Sequence, residues 1–148
     1  MTPTLRGRRQ TRLFLMGAIG VPVTLPFCVL GLLTAPVAGP IVAVAPLYVL
    51  AVVTVVGLVL DRTYDRMQQQ RWDHDWPVHL QVVAGGVEGA IAFVVSFGCC
   101  GLGVLALPAM VLFPVHYGLV WGLALLFVQG PIRVLFPQWR YRGGELLG

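Results

Sequence analysis

A single carboxylate inside an apolar run is the residue from which any intramembrane chemistry in this chain would start. Glu88 lies in VVAGGVEGAIAF, residues 82–93, where no other side chain is charged or polar. If the run is a membrane helix that begins near Val78, ten residues at 1.5 Å each place Glu88 about 15 Å deep, near the bilayer midplane. A charged carboxylate is expensive there, so we expect Glu88 to be protonated or paired and to face protein.

Three interpretations of Glu88 follow. In the leading one it is a protonated acid that fixes helix packing through a hydrogen bond to a backbone carbonyl or a hydroxyl group. In the second it binds a proton or cation along a transport pathway, as intramembrane carboxylates often do. In the third the helix is shorter and Glu88 reaches an interface. The candidate hydroxyl partners are Thr24, Tyr48, Thr54 and Ser96.

Two histidines and a tyrosine could extend a proton relay from Glu88. His116 and Tyr117 lie in the last apolar segment, and His79 lies at the start of the third. Imidazole changes charge near neutral pH, which suits a relay. The simpler interpretation places His79 in the headgroup zone and lets His116 hydrogen-bond near Pro114. Because the two histidines are expected near opposite membrane faces, they cannot share a haem iron, and no cofactor is predicted.

Metal and catalytic signatures are weak in this sequence. Asp73, His74 and Asp75 are ligand types for a divalent ion, but three adjacent residues rarely point at one ion and no second cluster completes the shell. The cysteines lack zinc-site spacing and are Cys28, Cys99 and Cys100. The sequence contains no nucleophile elbow, HExxH or Walker motif. We therefore predict neither a metal site nor an enzyme.

The elements that must position these residues are membrane helices. The 148 residues are 57% hydrophobic and 11% charged, and the mean hydropathy is +0.83, well outside the range of soluble globular proteins. A helix needs about 20 apolar residues to cross the hydrocarbon. Four segments meet this length, at about 13–33, 41–60, 78–97 and 104–129. We predict an all-α integral membrane four-helix bundle of two transmembrane hairpins, with residues 1–148 as a single domain.

The arginines predict the orientation of this bundle. All ten basic residues are Arg, and they occupy three clusters, 6–12, 62–71 and 133–142. The two other connections, 34–40 and 98–103, carry no charge. Because Lys and Arg collect on the cytoplasmic side, both termini and the loop 61–77 should be cytoplasmic. Topology explains the clusters, so nucleic-acid binding is not expected.

Small residues beside Glu88 predict a close helix contact. They form two overlapping small-xxx-small pairs, Gly85 with Gly89 and Gly86 with Ala90. Such pairs let a neighbouring helix approach the backbone. The fourth segment contains Pro114 and is long for one straight span, so a kink or a short outer segment is expected there.

The polar loop and the tail should lie at the membrane surface. The second helix is expected to continue through Asp61 and Asp65 as a solvated stalk, and Asp75 before Pro77 is typical of a helix start with a capping carboxylate. The tail 131–148 mixes apolar and basic residues and should lie against anionic headgroups. The predicted interfacial anchors are Trp72, Trp76, Trp139, Arg133 and Arg140.

These features favour a small polytopic membrane protein without catalysis. It would act through helix packing and protein interaction, as a subunit, assembly or envelope component, in a homo-oligomer or with a membrane-protein partner. The alternative is a small oligomeric proton-coupled carrier or channel that uses Glu88. A weaker alternative is a holin-like pore former, whose expression alone would permeabilise its host. The absence of Lys is typical of GC-rich coding, which predicts the plasma membrane of a prokaryote, with a viral membrane as the other option.

Overall fold

The computed structural model describes residues 3–38, 40–99 and 107–146, and these residues form helices joined by short connections without any strand. Helix α1 (Leu5–Leu15) passes through a π-helical turn (Met16–Gly20) into α2 (Val21–Ala38). Next come α3 (Ile41–Gln69) and α4 (Val78–Phe93), which ends in a second π-helical turn (Val94–Cys99). The chain closes with α5 (Leu107–Gln129), the short α6 (Pro131–Leu135) and a 3-10 turn (Pro137–Arg140).

The prediction of four long apolar helices is confirmed. The continuous apolar helices contain 33, 29, 21 and 21 residues in chain order. At 1.5 Å per residue even the shortest reaches about 30 Å, the thickness of a hydrocarbon layer. The first, at about 50 Å, is longer than such a layer, so several of its turns are available for contacts beyond the apolar stretch.

The first helix begins at Leu5, eight residues before the apolar span predicted from Leu13. Thr4 is the N-cap, and its hydroxyl accepts a hydrogen bond from the Gly7 backbone N–H at 3.0 Å, which satisfies one of the unpaired N–H groups of the first turn. The arginine-rich leader is therefore helical. It packs against α3 and brings Arg12 inside the bundle.

Helix α3 lies at the centre of the bundle and contacts α1, α2, α4 and α5. It continues past Asp61 and Asp65 as predicted, but it is no solvated stalk, because Asp61 is only 2% exposed. Burial continues along one face at helical spacing to the end of the helix. The buried residues of this face are Val49, Val53, Gly57, Asp61, Tyr64 and Gln68.

An apolar core fills the bundle on the side away from the termini. It consists of Ala45, Val49, Val53, Ala92, Phe97, Ala109 and Phe113. The rings of Phe93, Phe97 and Phe113 contact one another with centroids 5.2–5.9 Å apart. Helix α5 continues through Pro114 in one piece, so the predicted separate outer segment is not found in the described residues. The predicted start of this helix near Val104 lies outside them.

The tail folds back against α1, whereas the sequence predicts a segment that lies on the membrane surface. Ile132 and Trp139 are buried. The Trp139 indole N–H donates to the Thr11 hydroxyl at 2.8 Å, and that hydroxyl donates to the Gly144 carbonyl at 2.9 Å. Trp139 is therefore a packing residue, and its predicted role as an interfacial anchor was wrong.

The outer side of the tail keeps a surface character. Val134, Leu135 and Tyr141 are exposed, and Arg133 is exposed and donates to Gln129 at 2.8 Å. The side chain of Arg140, another predicted anchor, lies outside the described part of the chain. This outer side is compatible with the predicted interfacial position.

The loop between α3 and α4 differs from the prediction at one tryptophan, Trp76, and at the helix cap. Trp72 is 92% exposed, but Trp76 is buried against Tyr64, with ring centroids 5.6 Å apart. The N-cap of α4 is Pro77 without a side-chain cap. The Asp75 carboxylate accepts instead from the Trp76 backbone N–H at 2.8 Å, so it stabilises the turn before the helix.

Candidate functional site

Three charged side chains from three helices meet in the bundle, and we call Arg12, Asp61 and Glu88 the ion cluster. Arg12 Nε and Nη2 donate to the two oxygens of Asp61 at 3.1 and 2.9 Å, and Arg12 Nη1 donates to Glu88 Oε1 at 2.6 Å. The guanidinium holds Asp61 in a bidentate pair, the strongest geometry for an arginine and a carboxylate. The cluster joins α1, α3 and α4.

A glycine on α3 makes room for this cluster. A Cβ atom on Gly57 would collide with the Arg12 guanidinium and would lie 2.7 Å from Glu88 Oε1. Gly57 lies one helical turn before Asp61, on the same buried face. The helix therefore supplies both an acceptor for the guanidinium and the space that the guanidinium occupies.

Glu88 is paired with Arg12, which was not among the partners predicted for it. No hydroxyl group binds Glu88 in the described residues. Arg12 and Asp61 lie at the ends of the apolar runs 13–33 and 41–60. The ion cluster therefore lies on the side of the bundle that carries the termini, whereas Glu88 itself lies midway along the apolar helix Val78–Gly98, so its depth near the bilayer midplane stays a prediction.

One oxygen of Glu88 is left over. The side chain is about nine-tenths buried, and Oε1 accepts from Arg12, whereas Oε2 has no hydrogen-bond partner among residues 3–38, 40–99 and 107–146. With both carboxylates ionised, one arginine and two acids give the ion cluster a net charge of −1. A buried excess charge is costly unless another group compensates it.

A second arginine lies one turn before Arg12. Arg8 donates to Gln68 Oε1 at 2.5 Å, and its guanidinium lies 4.5 Å from the ring centroid of Trp76. Tyr64, which packs against the same tryptophan, donates through its hydroxyl to the Ala84 carbonyl at 3.2 Å. These contacts continue the polar connection between α1, α3 and α4 towards the loop.

The two small-residue pairs around Glu88 differ in burial, and the first pair is covered by aromatic side chains. Gly85 and Gly89 are buried, and a Cβ on either would collide with an aromatic side chain of α5, Trp121 or Tyr117. The close approach is thus made by rings and not by a helix backbone. The Tyr117 hydroxyl donates to the Gly85 carbonyl at 2.6 Å.

The other pair, Gly86 and Ala90, is exposed on the outer face of α4. No described side chain covers Gly86, because nothing lies within 4 Å of the position that its Cβ would take.

His116 is not connected to Glu88 by any hydrogen bond between described residues. It is buried and lies 2.8 Å from the Thr24 hydroxyl, which donates to the Gly20 carbonyl at 2.7 Å. Because that hydroxyl has one hydrogen, His116 Nε2 is assigned as the donor to the Thr24 oxygen. Phe27 packs against the imidazole. The predicted relay partners therefore separate: Tyr117 lies beside Glu88 through Gly85, whereas His116 joins α5 to α2, and His79 is exposed.

A large cavity of about 350 Å³ adjoins the ion cluster, and Arg12, Asp61 and Glu88 all line it. Five aromatic side chains also line it, Tyr64, Trp76, Tyr117, Trp121 and Trp139. Its volume is within the range of small-molecule sites. A small cavity of about 120 Å³ lies at the other side of the bundle beside His116.

The loop residues Asp73, His74 and Asp75 do not converge as a metal site would require. Both oxygens of Asp73 accept from Arg71 at 3.0 Å. Hydrogen bonding to Arg71 lowers the pKa of Asp73 to about 2, and the Asp75 backbone N–H contributes in the same direction. His74 has a positive φ of 49°. The charge of Asp73 is thus already compensated locally.

Arg12 and Asp61 were not predicted from the sequence to be site residues. A signal for Asp61 was present, since Gly57, Asp61, Tyr64 and Gln68 continue the helical spacing of the buried Val49 and Val53. Arg12 gave no comparable signal, because it stands in a basic leader that the positive-inside rule explains equally well. Comparisons of the chain with protein-family models, curated proteins and solved structures gave no match.

Proposed function

We propose that this chain is a small multi-pass protein of a prokaryotic plasma membrane that acts without catalysis, through packing against a second membrane helix. The observation that supports a partner is a pair of uncovered glycines on α5, Gly118 and Gly122. No described atom lies within 4 Å of the position that a Cβ on either would take. Pairs of small residues at this spacing let two membrane helices approach closely.

The glycine pair is part of a longer outward-facing strip of α5. The exposed residues of this strip follow helical spacing and are Val111, Val115, Leu119 and Leu126. In a bilayer this strip would face lipid or another helix, and the glycines would favour the helix. The exposed Gly86 and Ala90 on α4 offer a second surface of the same kind. The partner is a second copy of this chain or another membrane protein.

The arginine clusters support an orientation with both termini in the cytoplasm. Reporter fusions test it. A fluorescent protein fused after Gly148 should fluoresce, and alkaline phosphatase inserted between α2 and α3 should be active. The reverse pattern would contradict the proposed orientation.

Association is tested by adding bulk to the glycine pair. Gly118→Leu and Gly122→Leu should abolish cross-linked or co-purified complexes in mild detergent while the thermal unfolding of the protomer changes little. Gly17→Leu is a matched control, because Gly17 is also exposed and has nothing within 4 Å of its Cβ position. An unchanged complex in both α5 variants would contradict the proposal.

A second candidate function is a small proton-coupled carrier, and the large cavity beside Glu88 favours it. In proteoliposomes, Glu88→Gln should abolish proton-coupled flux of a transported solute while the protein still folds. If the wild-type protein shows no flux with candidate ions and organic cations, this candidate loses its support.

A further inference from the structure

The large cavity combines an apolar, aromatic lining with a carboxylate, Glu88, that can accept a further hydrogen bond. Glu88 Oε2 accepts no hydrogen bond from the described residues, although the side chain is about nine-tenths buried. Asp61 differs, because both of its oxygens accept from Arg12. A ligand in this cavity that donates a hydrogen bond therefore has one clear acceptor, on Glu88.

The charges in direct contact with Glu88 favour a cationic donor. The ion cluster carries a net charge of −1 when its carboxylates are ionised. Arg8 also lines the cavity, so three arginines and three acids line it in all, but the Arg8 guanidinium contacts Gln68 and the Trp76 ring rather than Glu88. The remaining charged lining residues are Asp75 in the loop and Arg133 in the tail, and they carry opposite charges. Among the described residues Glu88 shares its ion-pair partner, Arg12, with Asp61, so an ammonium group at Oε2 would add a positive charge directly beside Glu88.

The aromatic walls favour a cation as well. Electron-rich ring faces attract organic cations, most strongly when the group is removed from water. Arg8 already places its guanidinium 4.5 Å from the ring centroid of Trp76, so one ring of this wall accepts a cation within the protein itself. Tyr117 and Trp121 line the cavity next to Glu88 on the α5 side.

From these observations we infer that the large cavity binds a monovalent lipophilic amine, with its ammonium N–H donating to Glu88 Oε2 and its apolar body against the aromatic and aliphatic walls. A divalent metal ion fits less well, since it needs several oxygen ligands and Glu88 offers one. An anion would face the carboxylates of Asp61 and Glu88, and Arg12 already donates to both of them. This binding requires neither a partner helix nor transport, so it stands apart from the proposed function.

The test uses the full chain in phosphatidylcholine nanodiscs, whose neutral lipids do not attract the probe electrostatically. The probe is 4-(4-trifluoromethylphenyl)butylamine, followed by ¹⁹F NMR, with the matching alcohol and carboxylic acid as comparisons and empty nanodiscs as the measure of lipid partition. We expect saturable binding of the amine at least tenfold tighter than binding of the alcohol, and no saturable binding of the acid. Equal binding of amine and alcohol, or tighter binding of the acid, would overturn the proposal.

Two variants separate the roles of charge and space. Glu88→Gln should weaken amine binding at least tenfold and change alcohol binding little, with Asp65→Asn as the matched control, because Asp65 does not line the cavity. Val128→Trp should fill the cavity and remove binding of both probes without touching the ion cluster. If Glu88→Gln fails to fold, as judged by circular dichroism, the Val128→Trp result decides. Unchanged amine binding in folded Val128→Trp would show that the amine binds elsewhere.

Discussion

The two ends of the bundle are held together by different forces. The end with the termini is organised by the ion cluster and by hydrogen bonds from Arg8, Thr11 and Trp139, and it contains the large cavity. The other side is organised by the apolar core, where rings and small side chains interlock. Apolar packing tolerates little empty space, whereas a polar network fixes orientation and can leave a cavity beside it. The first end is therefore where ligand chemistry is possible.

The largest expected effect comes from removing the cation of the ion cluster. Arg12→Met leaves Asp61 and Glu88 buried without their partner, and breaking a buried ion pair from one side costs about 3–5 kcal/mol. The free energy of unfolding in mixed micelles measures this loss. Combining Arg12→Met with Asp61→Asn and Glu88→Gln should recover much of it, because no unpaired charge then remains. Arg66→Gln, which changes an exposed arginine, should have almost no effect.

The apolar core supplies the contrast to that experiment. Phe113→Ala should also destabilise by about 3–5 kcal/mol through loss of buried contacts and the cavity left behind. Neutralising Asp61 and Glu88 should recover little of this loss, since Phe113 packs in the apolar core and reaches the cavity wall only through Tyr117, which stacks on its ring. Recovery in the Phe113→Ala background would show that the two ends are not separate.

The helices themselves could be predicted from the sequence, because the length of an apolar run and its helical spacing depend only on local composition. The contact of Arg12, Asp61 and Glu88 in one cluster could not be predicted from the sequence. Glu88 stood out as a polar residue in an apolar run, but its partner is 76 positions earlier in the chain, and no local pattern joins them. Trp76 and Trp139 illustrate the same limit, since a tryptophan beside an apolar run is equally typical of a membrane interface and of a buried contact.

An intermediate effect is expected from the space that Gly57 leaves for Arg12. Gly57→Ala should displace the guanidinium and destabilise the protein by about 1–3 kcal/mol, the usual cost of overpacking. Gly86→Ala is the matched control on a neighbouring helix, where nothing lies near the added methyl group. Thermal unfolding of both variants gives the comparison. Equal stability of the two would contradict the tight contact at Gly57.

A smaller effect is expected where the tail joins α1. Thr11→Val removes the acceptor for the Trp139 indole and a donor to the Gly144 carbonyl, and leaving such groups unpaired costs about 1–2 kcal/mol. Limited proteolysis should show faster cleavage after the tail arginines. Thr34→Val is the control, because that hydroxyl bonds only to carbonyls of its own helix. Equal cleavage rates would contradict the docked tail.

The smallest effect is confined to the loop and concerns one pKa. Arg71→Gln should raise the pKa of Asp73 from about 2 towards its ordinary value, since the main hydrogen-bond donor is lost. Because the pKa of Asp73 in the folded protein lies below the ordinary Asp value of about 4, the ionised carboxylate stabilises the folded state at pH values above about 4. This contribution disappears as the pH falls towards 2. A carboxyl NMR titration measures the shift, with Arg66→Gln as control. An unchanged titration would contradict the Arg71–Asp73 pair.

The ion cluster depends most on the contact between Arg12 and Glu88, and a double-mutant cycle tests this contact directly. Unfolding free energies of the wild type, Arg12→Met, Glu88→Gln and the double variant give the coupling energy between the two side chains. We expect a coupling of about 1.5–3 kcal/mol, with the double variant more stable than the sum of the single losses implies. A coupling near zero would mean that these residues do not meet, and would contradict the ion cluster and the site built on it.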